Sequence, residues 1–374
     1  MSKTTLFSPI ALRSVTFDNR IVVSPMGQYS AVDGHVNEWH LMHLGQLVMS
    51  GAGLVITEAT AVEPRGRVGH GCMGIWDDAH IESLRPIVDF CRKYGGAKIG
   101  MQLAHSGRKG SVTAPWQGQK GLEATGGGWL LTSPSAHPYP NRPLPERLSE
   151  AGLQEVKQAF VHGAKRAAAA GIDLIEIHNA HGYLLHSFLS PHANVRTDEY
   201  GGSRENRMHF PLEVFEAVRA VWPEDKPLGV RVSATDWTPE GWQPEDTLVF
   251  AKELKERGCD YICASSGGSS PYQQIPVAPS YQVPFAEQIR REVGIPTMAV
   301  GLITEPQQAE DILSERKADF VALGRGMLYN PRWPWHAAHY FGEGVFFPLQ
   351  YERSHPSMRA GDFLKPFRDK SSAY

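Results

Sequence analysis

Residues 175–207 read IEIHNAHGYLLHSFLSPHANVRTDEYGGSRENR. The run Leu174, Ile175, Glu176, Ile177 has the β-branched apolar character of a strand, and a Gly-Gly-Ser helix start lies downstream at 201–203. Between the two stand His178, His181 and Tyr183. Seven further runs of the same kind can be marked along the chain. With this one they give strand candidates at Arg20–Val23, Leu54–Thr57, Lys98–Gln102, Leu174–Ile177, Leu228–Val232, Tyr261–Ala264, Pro296–Ala299 and Phe320–Leu323. None alternates strictly between apolar and polar residues, as expected of parallel strands buried on both faces. The segments between them carry a 3.6-residue period. The clearest is Glu150–Ala170, with Ala151, Val156, Phe160, Ala164 and Ala167 along one stripe and Gly171 after its end. Eight strand–helix alternations predict an α/β fold, the (β/α)8 TIM barrel, whose chemistry is done at the C-terminal ends of the strands.

At 374 residues the chain is read as a single domain over 1–374. Two segments depart from the repeat. Residues 105–148, rich in Gly and Pro after the third strand, predict an active-site cover or capping hairpin, because an ordinary βα loop is far shorter. Residues 331–374 form a C-terminal tail rich in aromatic residues, of a kind that packs on a partner subunit or on the barrel. A net charge of -3, without clustered Lys and Arg, speaks against nucleic acid and for a small-molecule partner. The first residues lack a signal peptide's apolar stretch, and no window reaches the roughly 18 apolar residues of a membrane span. A cytoplasmic address is expected. Four cysteines, Cys72, Cys91, Cys259 and Cys263, are too sparse for a disulfide framework and are read as buried thiols.

The residues at the predicted strand ends carry the chemistry. His178 and His181 are three apart, a spacing that on a helical turn puts both imidazoles on one side. A structural pair, two metal ligands, an acid–base pair and two N–H donors to one carbonyl oxygen are all compatible with it; a metal site would need further ligands at other strand ends. Tyr183 offers a phenol, which favours the donor reading: two donors aimed at an oxygen that becomes an enolate form an oxyanion hole. Gly301 follows the seventh strand, and Gly324 and Arg325 follow the eighth, where barrels bind phosphate through backbone N–H groups. Arg231 within GVRVS is hard to place on a strand buried on both faces without an anion to meet it. Gln102 ends the third strand with an amide able to donate and accept. Pro25, Met26, Gly27 and Ala59 follow the first two strands, where backbone and small side chains can lie against a flat ring.

Seven motifs in order, spread over nearly the whole chain, resemble the old yellow enzyme family of flavin-dependent ene-reductases, in its bacterial xenobiotic-reductase and thermophilic-like branch. They are NRIVVSPMGQYS at 19–30, EATAV at 58–62, QLAHSGRK at 102–109, the segment 175–207, GVRVSA at 229–234, ALGRGMLYNPRW at 322–333 and QYER at 350–353. The resemblance implies a bound FMN, with Pro25, Met26, Gly27, Ala59, Gln102, Arg231, Gly301, Gly324 and Arg325 as its contacts. It implies NADPH or NADH as a transient hydride donor, and enones, enals, maleimides, quinones or nitro compounds as oxidants. It makes His178 and His181 the anchor for the substrate oxygen, Tyr183 the proton donor and Tyr29 a substrate contact. Arg353 matches a tail arginine that in some relatives enters the neighbouring subunit's site, which implies a homodimer or homotetramer. The chain departs from the branch at Gly27, where members generally carry Cys; the loss of sulfur predicts an altered flavin potential and room for a bulkier substrate. Three rivals remain: the flavin–iron–sulfur branch, which needs a cysteine cluster after the barrel where this sequence has no cysteine beyond Cys263; a metal-dependent barrel hydrolase using His178 and His181 as ligands; and a flavin-binding protein without efficient turnover, against which Tyr183 and both histidines speak.

Overall fold

The computed structural model describes residues 4–354, and its centre is a closed barrel of eight parallel strands in sequential order. These are β1 (Ile21–Val23), β2 (Leu54–Ala61), β3 (Lys98–Ala104), β4 (Leu174–Asn179), β5 (Leu228–Ser233), β6 (Tyr261–Ser265), β7 (Thr297–Ala299) and β8 (Phe320–Leu323). Each coincides with a predicted run. The helices Glu38–Val48 (α1), Ala79–Tyr94 (α2), Glu150–Ala169 (α3), Leu184–Leu189 (α4), Arg204–Arg219 (α5), Pro244–Glu256 (α6), Val283–Val293 (α7) and Pro306–Ser314 (α8) surround it. Short helices Arg325–Tyr329 (α9) and Trp333–Phe341 (α10) follow the last strand. Ser149 and Ser203 start α3 and α5 by accepting from the N–H groups of Gly152 and Asn206, so the Gly-Gly-Ser segment begins a helix as read from the sequence.

Two apolar layers hold this together. The helices press their apolar faces on the outer side of the strands, with Phe160, Phe210, Phe215 and Phe250 fully buried. Inside the barrel, Val22, Leu54, Ile56, Leu174, Tyr261, Met298 and Phe320 form a second cluster. A hairpin of Ile10–Leu12 and Val15–Phe17, not anticipated from the sequence, adds Leu12 and Phe17 to that cluster, and Phe17 meets Phe320 edge to face. Because that hairpin and the inner cluster fill one part of the barrel, polar chemistry is confined to the other, at the strand C-termini.

Residues 105–148 differ from the capping hairpin considered above. They form three short 3-10 turns and one two-residue strand pair, Thr132–Ser133 with Glu146–Arg147, whose pairing is parallel. Prolines at 115, 134, 138, 140, 143 and 145 remove ladder donors, so a regular hairpin cannot propagate there. Arg353 lies exposed in the 3-10 turn Leu349–Ser354; the remainder of the predicted tail, from residue 355, lies outside the described residues.

Candidate active site

Strand register brings the site together. Across neighbouring strands Ala59 pairs with Gln102, Gln102 with Glu176, and His178 with Arg231. A register shift between Ile56 and Ala59 bulges the end of β2 and re-aims Glu58 and Ala59. At this end a cavity of ≈ 160 Å³ is lined by Pro25, Gly27, Tyr29, Ala59, Gln102, His178, His181, Tyr183 and Arg231, all expected at the site from the sequence, together with Glu58 and Val68, which were not, and Cys72, read only as a buried thiol. Met26, Gly301, Gly324, Arg325 and Arg353 do not line it. Met26 packs beside Gly324, with its Sδ 3.7 Å from where a Cβ on that glycine would stand.

The two histidines converge by a route other than a helical turn. His178 belongs to β4, whereas His181 sits in the left-handed region at φ 60 in the turn that follows, so their three-residue spacing does not describe a helix. The turn is pinned from outside. His181 N–H donates to Ser233 Oγ at 2.9 Å, and Gly182 N–H to His186 Nδ1 at 2.8 Å. Gly182 has φ +74, and a Cβ there would stand 2.3 Å from Gly268 O; Gly268 has φ +94, and a Cβ on it would stand 2.4 Å from His181 Cα. Only two glycines let these backbones nest. Beneath them His186 Nε2 faces Asp236 Oδ1 at 3.2 Å with neither side chain exposed, and Ser190 Oγ donates to Asp236 Oδ2 at 2.7 Å.

His178 Nδ1 accepts from Ala180 N–H at 3.2 Å, which assigns its proton to Nε2. That Nε2 lies 3.3 Å from His181 Nδ1, and His181 Nε2 lies 2.8 Å from Ser265 Oγ. Burial, reinforced by the charge of Arg231, holds both imidazoles well below the usual histidine range, so both are neutral at pH 7. Tyr183 stacks edge to face on His178 with centroids 4.9 Å apart, and burial pushes its phenol above the usual tyrosine value, keeping the proton on oxygen. Tyr29, at φ 53, meets the exposed Trp116 edge to face. Burial also drives the Cys72 thiol up to about 11, so it stays neutral.

On the strand side Gln102 Nε2 donates to Glu176 Oε1 at 2.7 Å, and Tyr261 OH reaches Glu176 Oε2 at 3.4 Å. Arg231 does not bridge to Asp236, which is engaged with His186, Ser190 and the Trp242 N–H; its Nε is buried without a partner. A buried guanidinium edge with an unfilled donor suits a planar ligand that presents acceptors. Beside Tyr183 the ammonium of Lys109, passed over in the sequence although it closes the QLAHSGRK motif, donates to His181 O and Gly268 O, both at 2.7 Å. Among the described residues no group of three or more His, Cys, Asp and Glu could hold a metal ion, and no helix is long and apolar enough to cross a membrane.

Residues 5–341 match the NADH:flavin oxidoreductase / NADH oxidase family. An NADPH dehydrogenase of Geobacillus thermodenitrificans is 48% identical over 353 residues, 94% of this chain and 98% of that protein. An NADH:flavin oxidoreductase of Gibberella zeae is 43% identical over 88% of this chain and 84% of its own. Among solved structures, morphinone reductase superposes with TM-score 0.77 at 28% identity, over 96% of this chain and 93% of that one. The old yellow enzyme homologue from Zymomonas mobilis gives TM-score 0.74 at 25% identity, covering 91% and 94%.

Proposed function

The chain belongs to the NADH:flavin oxidoreductase family, that of old yellow enzyme, and on that premise we propose that it is an FMN-dependent NAD(P)H dehydrogenase that reduces activated C=C bonds. The observation that carries the reading is the pair of neutral imidazole nitrogens, 3.3 Å apart in a cavity that also holds a protonated tyrosine. When bound, FMN would take hydride from NADPH or NADH and give it to the β-carbon of the alkene. Arg231, with its unfilled Nε donor, and Gln102, held by Glu176, fit the polar edge of the flavin ring. Pro25, Met26, Gly27 and Ala59 would lie near the ring, and Gly301, Gly324 and Arg325, after β7 and β8, would hold the phosphate.

The substrate oxygen would enter between His178 Nε2 and His181 Nδ1. His178 already has its proton on the facing nitrogen. His181 can present one too, because the Ser265 hydroxyl can donate to Nε2 as readily as it accepts from it. Both donors are held before charge develops on the oxygen, which is what makes such a pair effective. Tyr183 would deliver a proton to the α-carbon, and Tyr29 would flank the substrate. The oxidants are enones, enals, maleimides, quinones and nitro compounds. The protein works as a cytoplasmic homodimer or homotetramer, with Arg353 directed at the neighbour's site and residues 105–148 as cover.

An anaerobic visible spectrum taken before NADPH, after NADPH and after cyclohexenone tests this. A yellow protein that bleaches and then regains its colour is the expected result. A protein that stays colourless after incubation with FMN overturns the reading; one that bleaches without recovering keeps the flavin and discards the enone.

A further inference from the structure

At the edge of the cavity three cations gather with no acid paired to them among the described residues. Lys109 sits over the Tyr139 ring at 4.7 Å and the Tyr183 ring at 5.6 Å, and Arg108 lies over Tyr139 at 5.7 Å. The hydrogen bonds of Lys109, Arg108 and Arg142 go to carbonyl oxygens alone: those of His181, Gly268, Ser269, His137 and Asn141. The Nε atoms of Arg108 and Arg142 are buried without partners. The one carboxylate whose charge is felt by the cluster is Asp236, through Arg108, and it is already engaged with His186.

Carbonyl dipoles hold an ammonium in place without cancelling its charge. Burial, with the charges of Arg108 and Arg142 added, brings the Lys109 amine down to about 7. Lys109 is tethered by two of its three hydrogens, so one remains for a ligand. Arg142 is partly exposed, its charge is felt at Lys109, and among the described residues its Nε has no partner and its guanidinium reaches only Asn141 O. A structural role explains Arg108, which is 2% exposed and ties residue 137 to residue 269. Lys109 likewise ties His181 to Gly268, but tethering by carbonyls leaves its charge, and that of Arg142 near Tyr183, without a carboxylate partner among the described residues.

We propose that Lys109 and Arg142 bind a carboxylate or phosphate group carried by the alkene substrate, one ring away from the proton donor Tyr183. This rests on the function proposed above and narrows its substrate class from electron-poor alkenes in general to those bearing an anionic substituent.

Two maleimides with the same reacting ring test it, neutral N-ethylmaleimide and anionic N-carboxymethylmaleimide, with the purified holoenzyme and NADPH. The ratio of kcat/KM for the anionic to the neutral substrate is expected to fall about tenfold in Arg142→Gln and at least as far in Lys109→Met. Calorimetric binding of the two matching succinimides, which cannot react, reads the same preference without turnover. If the function is wrong but the site is right, the anionic succinimide still binds more tightly and loses that advantage in Arg142→Gln. If both ratios stay within twofold of the unmodified protein in both variants, the site is overturned. A loss confined to the KM for NADPH, with the maleimide ratio unchanged, overturns its assignment to the alkene.

Discussion

The strand-borne wall of the site and the loop-borne wall beside the cavity settle their charges differently. On the strands, Gln102, Glu176 and His178 stand opposite partners fixed by the barrel register, and Glu176 is fully buried yet accepts hydrogen bonds from Gln102 and Tyr261. On the loops, the side-chain hydrogen bonds of Lys109 and Arg142 go to carbonyl oxygens, with no carboxylate partner among the described residues. A ladder position is set by eight strands at once, so it suits groups whose placement decides a rate; a loop can change its side chains without moving the barrel, so it suits groups that choose among substrates. The most direct way to break this contrast is to compare one residue from each wall. His181→Ala should lower the rate of flavin reoxidation by cyclohexenone about 100–1000-fold while leaving bleaching by NADPH largely intact, as stopped-flow absorbance will read. Arg142→Gln should change the rate with this neutral enone far less. An equal loss in both would abolish the division of labour.

The turn bearing His181 and Tyr183 joins the two walls, and its anchor is the buried His186–Asp236 pair. Asp236→Asn should cost about 3 kcal/mol in urea unfolding at pH 7, because removing one partner leaves the other buried and uncompensated. Burial pushes the Asp236 carboxyl up, but the charge of His186 and the hydrogen bonds from His186, Ser190 and the Trp242 N–H outweigh it, and the folded value lies below the ordinary 3.8. A carboxylate depressed on folding contributes stability above its unfolded value and loses it as the pH falls through the folded one. The gap between the two proteins should therefore narrow as the pH drops below about 4. A constant gap would mean that the pair acts through packing alone.

What the sequence revealed follows the same division. All eight strands were legible because burial on both faces writes continuous apolar runs, and residues at their ends were then placed by counting. His178, Arg231 and Gln102 line the cavity for that reason. The conformation of His181 was not legible. A left-handed residue that is not glycine leaves no periodic trace, and the helical spacing invoked for the pair was the wrong geometry with a convergent outcome. Lys109, Glu58 and Val68 were passed over because loop and bulge directions depend on contacts with distant backbone, such as Gly268 and Gln28. Cys72 was read as a buried thiol, and it is buried, but its place on the cavity wall depends on the fold of the segment after β2. Gly301, Gly324, Arg325 and Arg353, placed at strand ends and in the tail by the same counting, lie off the cavity wall.

The mildest test lies where strand end and loop meet. Gly27 is exposed on the cavity wall, and a Cβ added there would stand 3.2 Å from Tyr29 Cε2, so the tyrosine ring must give by a few tenths of an ångström. Gly27→Cys should therefore fold normally and narrow the cavity beside Tyr29. A change of this size is worth about 1 kcal/mol in a pocket that is partly open, and kcat/KM for a bulky ring-substituted enone should fall about fivefold relative to cyclohexenone. The thiol should also shift the flavin midpoint potential, read by dye-coupled anaerobic titration. If neither the substrate ratio nor the potential moved, the space at Gly27 would have no bearing on the reaction.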